Sequence, residues 1–463
     1  MSTRFIVRTF GCQMNEHDSE RLAGLLIADG LEPAEDLEDA DLVVFNTCCI
    51  RENADNRLYG ELGRLKELSD RKPDLKIAVG GCLAQKDRQL LRERAPHVDV
   101  VFGTHNLTSA PELIRRSDIE GPIVEIIDSS ARQGSDPGLG IPAKRESSYS
   151  AWVNIQTGCD NSCAFCIVPS VRGREVSRAV DDVLSEVSTL ARRGVVEITL
   201  LGQNVNSYGR DITKRSPLFA QLLRSVGAVA GIERVRFTSP HPKDIRPETI
   251  AAMAEVPTIC PQLHLPLQSG SNRVLKAMRR GYTAERYLSR LEAAREAIDD
   301  LAVTTDIIVG FPGETDDDFE ATLQVVAEAR YDSAFTFIFS PRQGTRAAEM
   351  TDSFVPAAVV GDRFERLRVA VERSALVANQ RRIGRVERVL IEGPSRKDAS
   401  VLAGRSAQGK LVHFLPPPTI CDLGSGGLAD VQITRAAPHH LTGDFVSAVP
   451  RAAPKRRIPV SVR

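Results

Sequence analysis

Three cysteines, Cys159, Cys163 and Cys166, fall within eight residues of the stretch TGCDNSCAFCIVPSVRGRE, in a chain with only 9 Cys among 463 residues. A disulfide would leave one of them over. A structural zinc site wants four ligands, and no second C-x2-C pair is present to complete it. A bacterial ferredoxin run carries four cysteines with proline directly after the last, and Pro169 comes too late for that. The remaining reading is a [4Fe–4S] cube held by three protein thiolates in a C-x3-C-x2-C pattern, with its fourth iron open. Open positions are how catalytic metal sites admit a substrate.

A second set is dispersed. Cys12, Cys48 and Cys82 sit in FGCQMN, NTCCIREN and GGCLAQ, each directly after an apolar run that reads as a strand. Each setting is a turn entering a helix, where free backbone N–H groups and the helix dipole favour a thiolate. Cys49 abuts Cys48, and spacing does not choose between them. Cys260 and Cys421 read as incidental. His241 and His264 read as structural, and Arg172 and Arg174 as contacts to a cosubstrate or a phosphate.

The elements that must position these residues follow from periodicity. Residues 4–10, 41–46, 76–81 and 98–103 read as short buried strands, separated by helical stretches at 16–29, 52–69 and 85–94. Such alternation predicts a parallel sheet with helices on its faces. Its strand C-termini share one edge, so Cys12, Cys48 and Cys82 should meet there. Residues 120–150 are rich in Gly, Pro and Ser and read as a linker or irregular crossing. The alternation restarts with strands at 151–156, 195–202, 234–239, 262–267, 302–310 and 334–340, the clearest helices being 178–193, 284–299 and 314–329. Six β/α units make an open, partial barrel with its site on the loops after the strands. After a helix near 361–382, short strands with Gly and Pro between them predict a small β-barrel, and the end is a basic, Pro-rich tail. The fold class is α/β in three units.

Bulk properties narrow the setting. A net charge of −1 gives no whole-protein pull towards nucleic acid, so any RNA contact must be a local patch. No apolar run reaches a membrane span and the start does not read as a secretory signal, so a cytoplasmic protein with no membrane partner is expected. Clustered cysteines in that compartment bind metal more often than they form disulfides.

The C-x3-C-x2-C loop, with Phe165 before the last cysteine and a six-unit barrel around it, resembles the radical S-adenosylmethionine (SAM) enzymes. Cys12, Cys48 and Cys82 ahead of that barrel narrow the resemblance to the methylthiotransferases. The ordered segments TFGCQMNEHDSE, LLGQNVNSYG, LHLPLQSGS, DIIVGFPGET and FSPRQGT are similar to the subgroup acting on N6-dimethylallyladenosine next to the tRNA anticodon. The resemblance implies domains at 3–119 (methylthiotransferase N-terminal domain), 145–377 (radical SAM core) and 379–449 (TRAM barrel), with a linker at 120–144 and a tail at 450–463. It implies two [4Fe–4S] clusters, one on Cys159, Cys163 and Cys166 that cleaves SAM, the other on Cys12, Cys48 and Cys82; the family motif N-T-C selects Cys48. It implies SAM contacts from Phe165, Gln203, Asn204, Gln268, Ser269, Asp306 and Gly310, although LGQN stands where the usual Gly-Gly-Glu motif would be. RNA contacts are expected from Arg381, Arg382, Arg385, Arg388, Arg396 and Lys397, with Lys455, Arg456 and Arg457 in the tail. Implied partners are tRNA bearing N6-dimethylallyladenosine, an electron donor of flavodoxin or ferredoxin type and a sulfur donor, the enzyme itself being a monomer. The alternatives are a methylthiotransferase of the same family acting on threonylcarbamoyladenosine tRNA or a ribosomal protein, and a non-catalytic metal-bound RNA-binding protein.

Overall fold

A computed structural model describes residues 3–49, 52–128, 142–417 and 423–449. The first unit is a six-stranded, wholly parallel sheet of β1 (Arg4–Phe10), β2 (Glu32–Pro33), β3 (Leu42–Thr47), β4 (Lys76–Gly81), β5 (Val100–Phe102) and β6 (Ile123–Glu125), in the spatial order 2-1-3-4-5-6. All six residues of β3, Leu-Val-Val-Phe-Asn-Thr, are buried, as a central parallel strand covered on both faces requires. One face packs Val43, Phe45, Ile77 and Val79 under the helix Glu52–Arg71; the other packs Val44, Ala78 and Phe102 under Gln13–Ala28 and Ala110–Glu120.

Two expectations are corrected here. The first unit does not end at residue 119: β6 pairs parallel with β5, in register from Val100↔Ile123 to Phe102↔Glu125. The helical stretch expected at 85–94 is two short helices, Cys82–Asp87 and Gln89–Arg94, broken at Arg88 with φ +49°. Most of the expected linker, residues 129–141, lies outside the described residues, as does the tail from 450.

The second unit begins with β7 (Ser150–Asn154) and a two-residue antiparallel pair, β8 (Gln156–Thr157) with β9 (Val176–Ser177). It continues through β10 (Glu197–Leu201), β11 (Arg234–Phe237), β12 (Gln262–His264), β13 (Ala302–Val309) and β14 (Ser333–Ile338). These form two parallel three-stranded sheets, 11-10-7 and 12-13-14, and among the described residues the isolated bridge Val235↔Ile259, just ahead of β12, links them. The result is the open six-stranded partial barrel, with its outer face packed against helices such as Val180–Arg192 and Asp316–Ala329. Thr315 and Asp318 form a reciprocal capping box that starts the latter helix.

The third unit is a closed barrel of β15 (Val386–Pro394), β16 (Leu402–Arg405), β17 (Leu411–Leu415), β18 (Leu428–Ala436) and β19 (Leu441–Val449) around Val389, Ile391, Phe414 and Val431. It seals the strand-start end of the partial barrel. Arg234 donates to the carbonyls of Arg388 and Arg405, Arg236 to those of Ser406 and Ala407, and Lys410 Nζ lies 2.8 Å from Asp332. The opposite end, where strands terminate, stays free for chemistry.

Candidate metal centres and their surroundings

The loop bearing Cys159, Cys163 and Cys166 leaves β8 at the free end of the partial barrel and is pinned from several sides. Cys159 N–H donates to the Gly173 carbonyl at 3.1 Å, and Ala164 N–H to the Met278 carbonyl at 3.0 Å. Gly158 has φ +81°, and a Cβ there would lie 2.0 Å from the Arg174 carbonyl, so only glycine lets the loop close on itself. Gln203 Oε1 accepts the Gly158 N–H at 2.5 Å and so braces the loop. Burial pushes the Cys159 thiol up to about 11 and the Cys166 thiol up to about 12. Thiols so placed become thiolates when a metal compensates their charge.

Arg280 was not legible in the sequence as a site residue. Its side chain is buried, Nη1 lies 3.3 Å from Cys163 Sγ, and Nε donates to the Tyr282 hydroxyl at 3.2 Å. In AMRRGYT nothing separates it from Arg279, which is exposed.

The second set gathers at the C-terminal edge of the first sheet. Cys12 is the neighbour of Cys48, and Cys49 of Cys82. The contact with Cys48, helped by the nearby Arg172 guanidinium, lowers the Cys12 thiol to about 6. The contact with Cys49, again with Arg172, lowers Cys82 to about 7. Gly81 makes this turn possible: φ is +95°, and a Cβ would lie 2.4 Å from Asn46 Oδ1. Asn46 in turn bonds Asn15, which accepts from the Cys12 thiol at 3.3 Å. Among the described residues no three His, Cys, Asp or Glu side chains converge as metal ligands. The donor chemistry fits iron–sulfur clusters nonetheless: each three-thiol set has a buried arginine at hand to balance an anionic centre.

The other expected SAM contacts divide. Gln268 adopts φ +68°, unusual for a side-chain-bearing residue, and its buried Oε1 has no hydrogen-bond partner. Strain and an unmet acceptor at a strand end are what a ligand site shows. Asp306 lies on the inner barrel face, Oδ2 3.4 Å from His264 Nε2, and pairs in register with Phe335, which is 58% exposed. His264 Nδ1 lies 2.9 Å from Thr304 Oγ1, and its ring is 6.4 Å from Phe335, edge to face. Phe165 packs beside the buried Ala164 and Phe311.

Three expected contacts have partners within the fold. Asn204 is buried, with Nδ2 on Asp244 at 2.8 Å and Oδ1 accepting the His241 N–H at 3.2 Å. Ser269 is fully buried and its hydroxyl accepts the Ser271 N–H at 3.2 Å. Gly310 is required by φ +74° and by Val360, whose Cγ2 would lie 2.6 Å from an added Cβ, so the close approach in this structure is to a helix. His241 Nδ1 accepts the Lys243 N–H at 3.2 Å. Burial first, with nearby cations, keeps His241 neutral.

The expected RNA contacts also divide. Arg381, Arg396 and Lys397 are exposed. Arg385 and Arg388 are more than half exposed but paired, with Asp300 at 3.1 Å and Asp430 at 3.0 Å. Arg382 is corrected: it is 4% exposed and holds Glu387 and Asp300, so it joins the third unit to the barrel. Cys421, Lys455, Arg456 and Arg457 lie outside the described residues.

Comparison with known proteins agrees with this architecture. Residues 153–326 match the radical SAM superfamily, and residues 4–103 match the uncharacterized protein family UPF0004. Among solved structures, the radical S-adenosylmethionine methyltransferase TsrM from Kitasatospora setae aligns with a TM-score of 0.53 at 14% identity, over 75% of this chain and 77% of that one. The cobalamin-dependent S-adenosylmethionine radical enzyme OxsB aligns at 0.51 and 13% identity, over 80% of this chain and 56% of that one. These likenesses concern the fold. The tRNA-2-methylthio-N(6)-dimethylallyladenosine synthase of Acidothermus cellulolyticus is 56% identical over 449 residues, 96% of this chain and 88% of the relative. That of Mycolicibacterium vanbaalenii is 54% identical over 448 residues, 95% and 87% of the two chains. With this identity along nearly its whole length, the chain belongs to the tRNA-2-methylthio-N(6)-dimethylallyladenosine synthase family of radical SAM proteins.

Proposed function

We infer that the protein is a tRNA methylthiotransferase that replaces the hydrogen at C2 of N6-dimethylallyladenosine by a methylthio group. The observation that carries this is near-full-length identity above half to relatives of that name, in a chain bearing both cysteine sets. When bound, two [4Fe–4S] clusters and SAM supply the radical that removes an inert aromatic hydrogen, the inserted sulfur and the methyl group. Cys159, Cys163 and Cys166 would hold the SAM-cleaving cluster, with Arg280 as its buried counter-charge. Cys12, Cys48 and Cys82 would hold the second, and Cys49, packed in the same core cluster as Cys82, is a neighbour of that centre.

Gln268 is the best-supported SAM contact, through its unpartnered oxygen and strained backbone. The exposed Phe335 beside Asp306 and His264 gives the target base an aromatic wall and polar groups to meet once it leaves its stack. Arg381, Arg396 and Lys397, with Arg385 and Arg388, form the RNA-contacting surface we propose. The functional units run from residue 3 through β6, from 145 to 377, and from 379 to 449. A flavodoxin- or ferredoxin-type electron donor, a separate sulfur donor, a monomeric state and a cytoplasmic setting complete the reading. Among the described residues no helix is long and apolar enough to cross a membrane.

Iron and sulfide analysis tests the two-centre reading. Reconstituted protein should hold roughly eight iron atoms, four per cluster, and replacing either cysteine trio by alanine should halve that. Stoichiometric zinc with no sulfide would contradict it.

A further inference from the structure

The segment after Cys166 physically joins the two cysteine sets. Ile167 and Val171 are buried in the core of the first unit with Phe45, Cys49, Leu83 and Cys82. Thr104 Oγ1 donates to the Val171 carbonyl at 2.6 Å. The next residue, Arg172, is only 7% exposed. Its Nη2 lies 2.8 Å from Asp18 Oδ2, and its positive charge is near enough to Cys82 and Cys12 to lower both thiols. One residue further on, the Gly173 carbonyl accepts the Cys159 N–H at 3.1 Å. A single dipeptide thus contributes its side chain to one centre and its backbone to the other.

A buried cation is costly unless its charge is used. Asp18 supplies one negative charge, but it is a single carboxylate on the flank of the site. A [4Fe–4S] centre on three thiolates is anionic and becomes more so on reduction, so a neighbouring guanidinium stabilises the reduced form. We propose that Arg172 is a positioning residue of the second centre, a fixed counter-charge that holds the cluster on Cys12, Cys48 and Cys82 in place and raises its reduction potential. Arg172 follows the loop of the first centre in sequence, but Asp18, the Thr104–Val171 hydrogen bond and the core of the first unit hold it, so it keeps its place beside the second centre whether or not the first is filled.

The proposal rests on the reading of Cys12, Cys48 and Cys82 as cluster ligands, and the experiment separates the two. Full-length protein with Cys159, Cys163 and Cys166 replaced by alanine is reconstituted, and its remaining cluster is titrated by potential-controlled electron paramagnetic resonance. If this protein, with Arg172 intact, holds no [4Fe–4S] cluster, the reading fails and the proposal with it. If it does hold one, Arg172→Gln should move the midpoint negative by about 59 mV or more, a tenfold change in the one-electron equilibrium. Arg172→Lys, which keeps the charge, should recover most of that shift. Asp18→Asn, which frees the guanidinium from its carboxylate, should move the midpoint the other way and keeps the test open if Arg172→Gln loses its cluster. An unchanged midpoint in Arg172→Gln, an equal shift in Arg172→Lys, or a negative shift in Asp18→Asn would overturn the proposal.

Discussion

The guanidinium of Arg280 stands 3.3 Å from the sulfur of Cys163, buried and anchored by the Tyr282 hydroxyl. Tyr282 is itself fixed, donating to the Leu267 carbonyl at 2.7 Å, one residue before Gln268. The cysteine loop and the strand end bearing the unpartnered Gln268 oxygen are therefore linked through one arginine and one tyrosine.

Replacing Arg280 by glutamine removes the counter-charge while keeping some hydrogen bonding. SAM cleavage should fall by about tenfold or more, as is usual when a residue supporting metal ligands is lost. The check is 5'-deoxyadenosine release per intact cluster, with iron content measured on the same sample. Rates within twofold of the parent would remove Arg280 from the account.

Glu314 and Arg363 form a buried ion pair at 2.9 Å, with side chains 1% and 5% exposed. Glu314 also accepts the Gly310 N–H and so sets the turn after β13. Arg363→Met leaves that carboxylate buried without its partner and should cost about 3–5 kcal/mol in chemical denaturation. Glu314→Gln combined with Arg363→Met should cost less than the sum of the two single changes.

Gly310→Ala tests whether this glycine serves a helix or a ligand. The positive φ and the clash with Val360 predict a loss of about 2 kcal/mol. Val360→Ala in the same chain should return part of it. Weaker SAM binding with stability unchanged would restore the ligand reading.

Arg396 and Lys397 should act on RNA, and Arg382 on stability. Neutralising either of the first two should weaken tRNA binding and lower the slope of log affinity against log salt by about 1. Arg382→Ala should instead lower the unfolding midpoint, because it strands the buried Glu387. Binding titrations at several salt concentrations and thermal melts separate the two.

His241 predicts a pH effect with a fixed sign. Burial depresses its folded-state pKa, so below about pH 6.5 the unfolded chain takes up a proton that the folded one does not. Stability is therefore full above that pH and falls as pH drops below it, by at most about 1.4 kcal/mol per pH unit. His241→Gln should flatten melting curves between pH 7 and 5; an unchanged slope would contradict the assignment.

The parts of the site carried by types and spacing were legible in the sequence. Cys159, Cys163 and Cys166 share one loop, so their grouping needs no tertiary information. Cys12, Cys48 and Cys82 were placed together because parallel strands end on one edge, which the sheet obeys. Legibility stopped where function depends on which of several similar residues turns inward. Arg280 and Arg279 are adjacent, and only packing on Tyr282 distinguishes them. Arg382 looked like part of a surface charge run because composition counts charges without their exposure. The strand β6 was missed because three residues ahead of a Gly- and Pro-rich stretch carry no periodicity of their own. At Gly310 the sequence shows that a close approach is needed, but not that Val360 makes one.

The most direct test is nucleoside mass spectrometry. Protein reconstituted anaerobically with iron and sulfide is given SAM, a reductant and tRNA that carries N6-dimethylallyladenosine without the methylthio group. The account predicts that this nucleoside gains a methylthio group, and that a Cys159→Ala protein leaves it unchanged. SAM cleavage with the nucleoside unmodified, in protein shown to hold both clusters, would contradict it.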